Sequence, residues 1–419
     1  MGVSMYDFAF DLRTLGREFT KADFKADPNL NDDNYRAATI LSARAQSSSG
    51  LQNFSLKSSN LRGKFTYQVV GIDHALIMRK FSRNIRKLTR VKQSDRSTII
   101  KSLKQLLSEG HHFRVYKLDL KDFYESIDRS GIDAQLKRDV GLSPTTLHVY
   151  QFISAALQAH GLPGLPRGLS ISAVLSEYVM RPFDQSVKSL DNVYYYARYV
   201  DDIIILTTGN ESKKSFLKRV RQSLPMGVSL NHAKTRVIDF TQPKVNNPAN
   251  QTIEDVVDFL GYRFTVYTML YEKRALSRTV HADISPNKLT RFKTRITLSA
   301  LQFVKDNNLD DFRDRIRALS GNYNVYDFDR KIRRNVGIYF NYRFLDLSHS
   351  SAIPELDAYL KKLVLSSTGK IGSSLRANLT AKQRRDILKL TFQRSFATQN
   401  FAHFEINRLT HLVGCWAYE

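Results

Sequence analysis

The tetrapeptide Tyr199-Val200-Asp201-Asp202 lies between two segments that strongly favour β-structure. Three consecutive tyrosines come shortly before it, and three consecutive isoleucines follow it directly. Aromatic and β-branched residues on both sides predict two strands, with the aspartates where the chain reverses. Adjacent carboxylates between apolar strands repel each other and resist burial unless a cation lies between them. Alone, the tetrapeptide is also typical of an ordinary Asp-rich turn, so its meaning depends on the remaining chain.

The charge of the chain limits the class of partner. Its 419 residues include 64 Lys and Arg against 40 Asp and Glu, for a net charge of +24. Such an excess favours nucleic acid first and an anionic membrane surface second. No apolar segment approaches the roughly 20 residues that span a bilayer, and the N-terminus lacks a signal-peptide pattern. The single cysteine, Cys415, suits a reducing compartment. We therefore expect a cytoplasmic nucleic-acid-binding protein without a membrane partner.

Changes in composition predict three regions, 1–74, 75–284 and 285–419. The first mixes polar and apolar stretches, and its Ser-rich residues 46–50 predict a loop. The second begins with basic, helical patterns and then holds the β-forming segments. The third changes to apolar stripes at helical spacing among many Lys and Arg, with a helix expected to begin at Ser285–Pro286. This predicts an α+β chain that ends in a basic helical region suited to a duplex backbone.

A third carboxylate, Asp119, ends a segment with clean alternation of apolar and polar residues. Alternation predicts a strand with Tyr116 and Leu118 in the core and with Lys117 and Asp119 on the opposite side. Between this strand and the Asp-Asp turn lie residues 161–168, in which Gly and Pro are too dense for regular structure. A glycine-rich loop before a helix can present backbone N–H groups to an anion.

Carboxylates grouped around divalent cations suit phosphoryl transfer to a nucleic-acid hydroxyl. One ion lowers the pKa of the attacking 3′-hydroxyl, and the second steadies the leaving pyrophosphate. Two Mg²⁺ ions fit because this ion accepts few protein carboxylates and completes its shell with water and phosphate oxygens, and Mn²⁺ is an alternative. Asp119, Asp201 and Asp202 are the candidate ligands, with Asp201 expected to bind fully and Asp202 less directly.

The order of motifs resembles the reverse transcriptase family over roughly residues 75 to 270. Asp119 with Phe123 and Tyr124 is similar to the first catalytic motif, and Tyr199 to Asp202 match the YxDD box. The resemblance implies that Tyr124 is the gate that excludes a ribose 2′-hydroxyl. It also implies a right-hand polymerase fold, with fingers and a palm built on an antiparallel sheet, followed by a helical thumb.

Further motifs carry the same resemblance. Residues 165–168 with Ser172 resemble the substrate-positioning motif, although the family often has Gln where this chain has Arg167. Lys234 resembles the lysine that protonates the leaving pyrophosphate, and Arg96 is the expected triphosphate contact in the fingers. The implied nucleotide-binding residues are Arg96, Leu120, Phe123, Tyr124, Pro166, Arg167, Gly168 and Tyr199, and the implied primer grip is Phe259, Leu260, Gly261 and Tyr262.

The resemblance implies an RNA-directed DNA polymerase, a nucleotidyltransferase, that uses dNTPs and an RNA template or non-coding RNA to make DNA. Within the family, the residues of these motifs are most similar to those of prokaryotic defence-associated, abortive-infection enzymes, which are related to the enzymes of retrons and group II introns. A partner protein or a homo-oligomer is compatible with this. Alternatives are untemplated or protein-primed synthesis on the same fold, a catalytically inactive RNA-binding scaffold, and an RNA-dependent RNA polymerase. The three intact carboxylates disfavour the scaffold, and the bulky Tyr124 disfavours the RNA polymerase.

Overall fold

A computed structural model describes residues 6–61, 63–138, 142–241, 245, 247–272, 275–327 and 332–416. The chain divides into two compact units. The first combines Met1–Asp95 with His112–Asp239, and the second combines Arg96–His111 with Phe240–Glu419. None of the described helices is both long enough and apolar enough to cross a membrane.

Helices and strands alternate along the chain, in keeping with the predicted α+β class. The first third holds α1 (Leu12–Gly16), α2 (Lys21–Ala26), α3 (Asp33–Ser49), β1 (Ser55–Leu61), β2 (Lys64–Val70), α4 (Ile72–Thr89) and α5 (Arg96–Leu107). Next come β3 (Phe113–Asp119), α6 (Phe123–Ser126), α7 (Arg129–Arg138), α8 (Pro144–Ala159), α9 (Ser170–Lys188), β4 (Val193–Tyr199), β5 (Asp202–Thr207), α10 (Lys213–Gln222) and β6 (Arg236–Phe240). The last part holds β7 (Ile253–Phe259), β8 (Tyr262–Glu272), β9 (Ala275–Ile284), α11 (Pro286–Asp306), α12 (Leu309–Ser320), β10 (Asn322–Asp327), β11 (Ile332–Gly337), α13 (Ile338–Tyr342), α14 (Ala352–Leu365), α15 (Gly369–Asn378), α16 (Ala381–Leu388), α17 (Phe392–Thr398) and α18 (Ile406–Gly414).

The first unit is built on a four-stranded sheet with strand order β4-β5-β3-β6, in which β5 pairs antiparallel with both β3 and β4. Helices α4 and α9 pack together, and apolar residues of α9 at helical spacing enter the common core. Each such side chain, once fully buried, stabilises the fold by roughly 1.5–3 kcal/mol. The inner strand β3 is buried on both faces, and only Lys117 is partly exposed.

The N-terminal residues also contribute to the first unit. The predicted loop at residues 46–50 was wrong, since α3 continues to Ser49 and ends at Gly50. The serine hydroxyls donate to carbonyls one turn earlier in the helix, as in the bond from Ser49 Oγ to the Ala45 oxygen (3.0 Å). Strands β1 and β2 form a separate antiparallel hairpin.

The second unit combines a three-stranded sheet, β7-β8-β9, with the C-terminal helices. Helix α11 begins as predicted, with Ser285 at the N-cap and proline at the first helical position. Phe303 of α11 stacks on Phe312 of α12 at 5.3 Å between ring centroids, which joins these two helices in the core. The hairpin of β10 and β11 interrupts the helices, and the sequence did not predict it.

Candidate active site

Two of the predicted aspartates lie side by side at the ends of neighbouring strands. Asp119 is the last residue of β3, and Asp202 is the first residue of β5. They are direct partners in the antiparallel register, and the amide of Leu120 donates to the Asp201 carbonyl at 3.1 Å. The pairing of β3 with β5 therefore brings all three predicted carboxylates to the same end of the sheet.

The YxDD tetrapeptide forms the expected hairpin turn. Tyr199 pairs with Asp202, so Val200 and Asp201 alone make the connection between β4 and β5. Val200 has φ +61°, a left-handed conformation that a β-branched residue rarely adopts. Such a conformation costs of order 1–3 kcal/mol and persists only where its surroundings impose it. The turn that carries Asp201 is thus strained and must be held in place.

The three carboxylates destabilise one another's charge. Burial is the main reason that the pKa of Asp201 is raised, and the charge of Asp119 raises it further. Burial, followed by the charges of Asp201 and Asp119, raises the pKa of Asp202 to about 6. A cation among the three carboxylates would remove this repulsion.

Lys234 supplies one positive charge at this end of the sheet. Its ammonium donates to both carboxylate oxygens of Asp119, at 3.0 and 3.2 Å, and this bond is the main cause of its raised pKa. Asn231 supports the same aspartate through its backbone amide, which donates to the backbone carbonyl of Asp119 at 2.7 Å. The Lys234 side chain is 63% exposed, so the pair contributes little stability and can exchange for other partners.

The donor set fits a magnesium site. Within the described part of the chain, no group of three or more His, Cys, Asp or Glu side chains forms a ready-made metal cage. Mg²⁺ seldom uses such a cage, because it is usually bound by one or two carboxylates with water and substrate phosphates completing the shell. Asp119, Asp201 and Asp202 offer oxygen ligands only, which suits this ion.

A buried ion network lies behind the turn. The Arg198 side chain, 3% exposed, donates to Glu177 at 2.8 Å and to Asp184 at 2.8 Å, both on α9. It also donates to the Val200 carbonyl at 3.1 Å. The hydroxyl of Tyr196 donates to Asp184 at 2.5 Å and completes the set. Arg198 thereby ties the strained turn to the helix that supports it.

The predicted gate residue, Tyr124, lies beside the ion pair of Arg167 and Glu125. Tyr124 is partly buried, and burial, followed by the charge of Glu177, raises its pKa. The guanidinium of Arg167 lies 5.5 Å from the centroid of the Tyr124 ring. The same guanidinium binds Glu125 through two bonds, at 2.5 and 3.0 Å. Arg167 therefore joins the predicted substrate-positioning loop to the segment that carries the gate.

Backbone contacts fix the glycine-rich loop against this segment. The amide of Leu165 donates to the Tyr124 carbonyl at 2.8 Å, and a Cβ on Gly164 would lie 2.2 Å from the Glu125 carbonyl oxygen. A Cβ on Gly168, which has φ +93°, would lie 2.6 Å from the carbonyl oxygen of Tyr67 in β2, and the Tyr67 amide donates to the Arg167 carbonyl at 2.7 Å. Glycine is required at both positions because no side chain fits there.

Arg96 and the predicted primer grip lie in the second unit. Leu260 and Gly261 both have positive φ and form the two-residue turn between β7 and β8. Arg96 donates to the Leu260 carbonyl at 2.6 Å and to the Asn341 carbonyl at 2.8 Å. Its guanidinium also lies 5.2 Å from the centroid of the Tyr262 ring. These contacts place Arg96 against the predicted primer-grip turn, and its role in binding triphosphate stays a prediction.

Several residues of the site were not predicted. Glu177 and Asp184 are seven residues apart and so lie on one face of α9, which is a signal that could have indicated a buried cation partner. Arg198 directly precedes the tetrapeptide, yet nothing local shows that it folds back beneath the turn. Tyr67 contacts Arg167 only through long-range folding.

Comparison with known proteins finds one family that is similar to part of the chain. Residues 65–264, just under half of the chain, match the family described as reverse transcriptase (RNA-dependent DNA polymerase). No curated protein matches the chain.

Among solved structures, three telomerases are similar. The apo telomerase of Candida tropicalis is 13% identical, covering 87% of this chain and 64% of that one at a TM-score of 0.35. Its form truncated from the C-terminal domain is 14% identical, covering 51% and 53% at 0.33. The Candida albicans telomerase in complex with a TWJ fragment of telomeric RNA is 12% identical, covering 86% and 64% at 0.34. This chain spans less than two thirds of each, and scores this low support no argument about function.

The family match covers Asp119, Lys234 and the YxDD turn, and it begins within β2 and ends within β8. The α+β prediction is confirmed, because this region combines helices with antiparallel strands. Residues 65–264 thus match the reverse transcriptase family, whose enzyme class is RNA-directed DNA polymerase, a nucleotidyltransferase.

Proposed function

We propose that this chain copies RNA into DNA from dNTPs, with two Mg²⁺ ions bound by Asp119, Asp201 and Asp202. The observation that carries the proposal is the register of β3 and β5, which sets Asp119 directly opposite Asp202 and beside the Asp-Asp turn. Mn²⁺ has similar ligand preferences and is expected to replace Mg²⁺. We also propose the domain boundaries expected from composition, after residues 74 and 284.

The bound ions would activate the primer 3′-hydroxyl and neutralise the charge of the leaving pyrophosphate. The residues of the chain have their own tasks. Asp201 is presented by a turn that Arg198 restrains, so its carboxylate is preorganised. Lys234, with its raised pKa, stays protonated and can hold a proton for the pyrophosphate. Because its bonds to Asp119 are exposed, the ammonium can move from that carboxylate to phosphate.

Tyr124 is proposed to select deoxyribose. Leu165 and Arg167 hold its segment from two sides, which leaves the ring little freedom to move away from a 2′-hydroxyl. We expect Tyr124→Ala to lower the preference for dNTP over rNTP by about 10- to 100-fold, in line with the discrimination a single group gives in a pocket.

The measurement is single-nucleotide incorporation with matched dNTP and rNTP series. Tyr35→Ala, which truncates an exposed tyrosine of the same unit, is the control. An unchanged preference in Tyr124→Ala would exclude the gate and leave an RNA polymerase open.

The biological setting rests on resemblance and charge. The net charge of +24 favours a stably bound RNA, and the residues of the motifs are similar to those of prokaryotic defence-associated enzymes. We therefore propose a cytoplasmic antiviral role with a cognate non-coding RNA. An additional partner protein or a homo-oligomer is compatible with it.

The test of this setting has two parts. RNA that co-purifies with the protein is sequenced, and one dominant species is expected. Bacteria that express the protein with that RNA are then challenged with phage, and plating should fall for the wild type and recover for Asp201→Asn. Co-purification of random cellular RNA, or equal plating of phage on bacteria with the wild type and with Asp201→Asn, would refute the defence role. Neither result would contradict the polymerase proposal.

A further inference from the structure

A small basic pocket lies in the second unit, outside the residues that match the family. Its volume is about 330 Å³, and it is formed where α12, α16 and α17 meet the segment after α17. Three cations line it, Arg317, Lys389 and Arg394, and its described lining holds no carboxylate. Ser320 and Asn400 add polar atoms. A concave surface with this lining suits an anion.

The ion pairs that these cations already make are weak. Arg317 donates to Asp314 at 3.4 Å, with its side chain 44% exposed. Lys389 donates to Asp386 at 2.8 Å, with its side chain 71% exposed. Pairs this exposed are worth about 0–1 kcal/mol, so both cations can turn to a phosphate at little cost.

An aromatic ring forms part of the same pocket. Phe401 is 49% exposed, and its ring meets Phe340 edge to face at 5.6 Å. Its backbone is fixed on both sides by the buried Asn322, whose side chain donates to the Asn400 carbonyl at 3.1 Å and whose carbonyl accepts from the Ala402 amide at 2.7 Å. A rigidly held, exposed ring beside cations is the arrangement on which unpaired bases stack.

We propose that this C-terminal basic pocket binds single-stranded nucleic acid, with phosphates on Arg317 and Arg394 and one base on Phe401. Cations alone would suit any phosphate, but the exposed ring specifies a ligand with an accessible base. A duplex keeps its bases stacked internally, so a single strand is the better fit. The inference deepens the proposed function, since the strand would be an unpaired part of the RNA partner.

The experiment compares two substrates on the full chain by fluorescence anisotropy. One is a blunt RNA–DNA duplex, and the other is the same duplex with a long single-stranded RNA extension. The wild type should bind the extended form more tightly. Phe401→Ala should lose about tenfold of that gain, because stacking of a base contributes on that scale, and Phe401→Trp should keep it.

The double variant Arg317→Gln/Arg394→Gln should lower the salt slope for the extended substrate by about 1.4, as expected for two lost contacts to single-strand phosphates. Lys361→Gln/Lys370→Gln removes two exposed cations of the same unit that are not part of the pocket lining, and it should leave the gain unchanged.

Three results would overturn the proposal. These are an unchanged gain in the pocket variants, an equal loss on the blunt duplex, and displacement of the extension by inorganic phosphate alone. The polymerase proposal is tested separately by dNTP incorporation on a DNA primer annealed to an RNA template with a short 5′ overhang to copy, which the pocket variants should retain. A chain that incorporates no dNTP but shows the gain would refute the proposed function and keep this inference.

Discussion

Replacing Asp201 or Asp202 by Asn is expected to lower dNTP incorporation by at least about 10³-fold. Metal ions contribute several kcal/mol to transition-state charge stabilisation, and each 1.36 kcal/mol corresponds to a factor of ten in rate. Asn has nearly the same shape as Asp but carries no charge, so it keeps the turn while weakening the metal site. The measurement is primer extension at saturating Mg²⁺ and dNTP.

The same substitutions separate loss of function from loss of folding. Partial burial, followed by the charges of Asp201 and Asp119, raises the pKa of Asp202 to about 6, so its ionised form destabilises the folded protein at neutral pH. Asp202→Asn removes that charge, and the melting temperature should stay equal to that of the wild type or rise. Asp191→Asn, at an exposed position of the same unit, should change neither quantity. Near-normal incorporation by both active-site variants would contradict the assignment.

Arg198→Gln is expected to destabilise the protein by about 3–5 kcal/mol, because it leaves the carboxylates of Glu177 and Asp184 buried without their cation. The side chains of these acids are only 14% and 21% exposed, so water cannot replace the guanidinium fully. Thermal melting measures the effect. Arg263→Gln is the matched control, because it breaks a pair with Asp258 that is more than one third exposed and worth about 0–1 kcal/mol.

A purely structural role for Arg198 would not alter catalysis in the protein that remains folded. Arg198 also donates to the Val200 carbonyl and restrains the strained turn, so we expect kcat to fall while KM for dNTP changes little. Arg198→Lys should restore stability in part and kcat less, since lysine keeps the charge but not the planar donor geometry. A melting temperature like that of Arg263→Gln, with normal kcat, would show that the network is dispensable.

The sequence predicted the parts of the site that depend on local pattern. Two strongly β-forming segments around two residues specify the hairpin, and alternation specifies the strand that ends at Asp119. Neither pattern predicts which strands pair. The grouping of Asp119 with Asp201 and Asp202 was therefore inferred from chemistry, and the direct opposition of Asp119 and Asp202 is seen only in the register of β3 and β5.

Other features of the site depend on contacts between distant residues. The strain at Val200 cannot be predicted from propensity, because valine disfavours the conformation that the turn imposes. Tyr67 and Arg167 meet across about a hundred positions of sequence, and the N-terminal region that supplies Tyr67 showed no distinctive pattern. The serines at the end of α3 misled in the opposite direction, since a composition typical of loops occurs here within a helix that continues to Ser49.

We propose above that the domain makes DNA on RNA with the three carboxylates. The most direct test of this proposal is extension of a DNA primer on a defined RNA template by the purified wild-type chain, with Mg²⁺ present or removed by chelation and the product sequenced. We predict a Mg²⁺-dependent product complementary to the template, restored by adding the ion back. A product unrelated to the template, or one joined to the protein, would mean untemplated or protein-primed synthesis. No incorporation under any divalent ion, from protein that is folded and binds the primed template, would contradict the account.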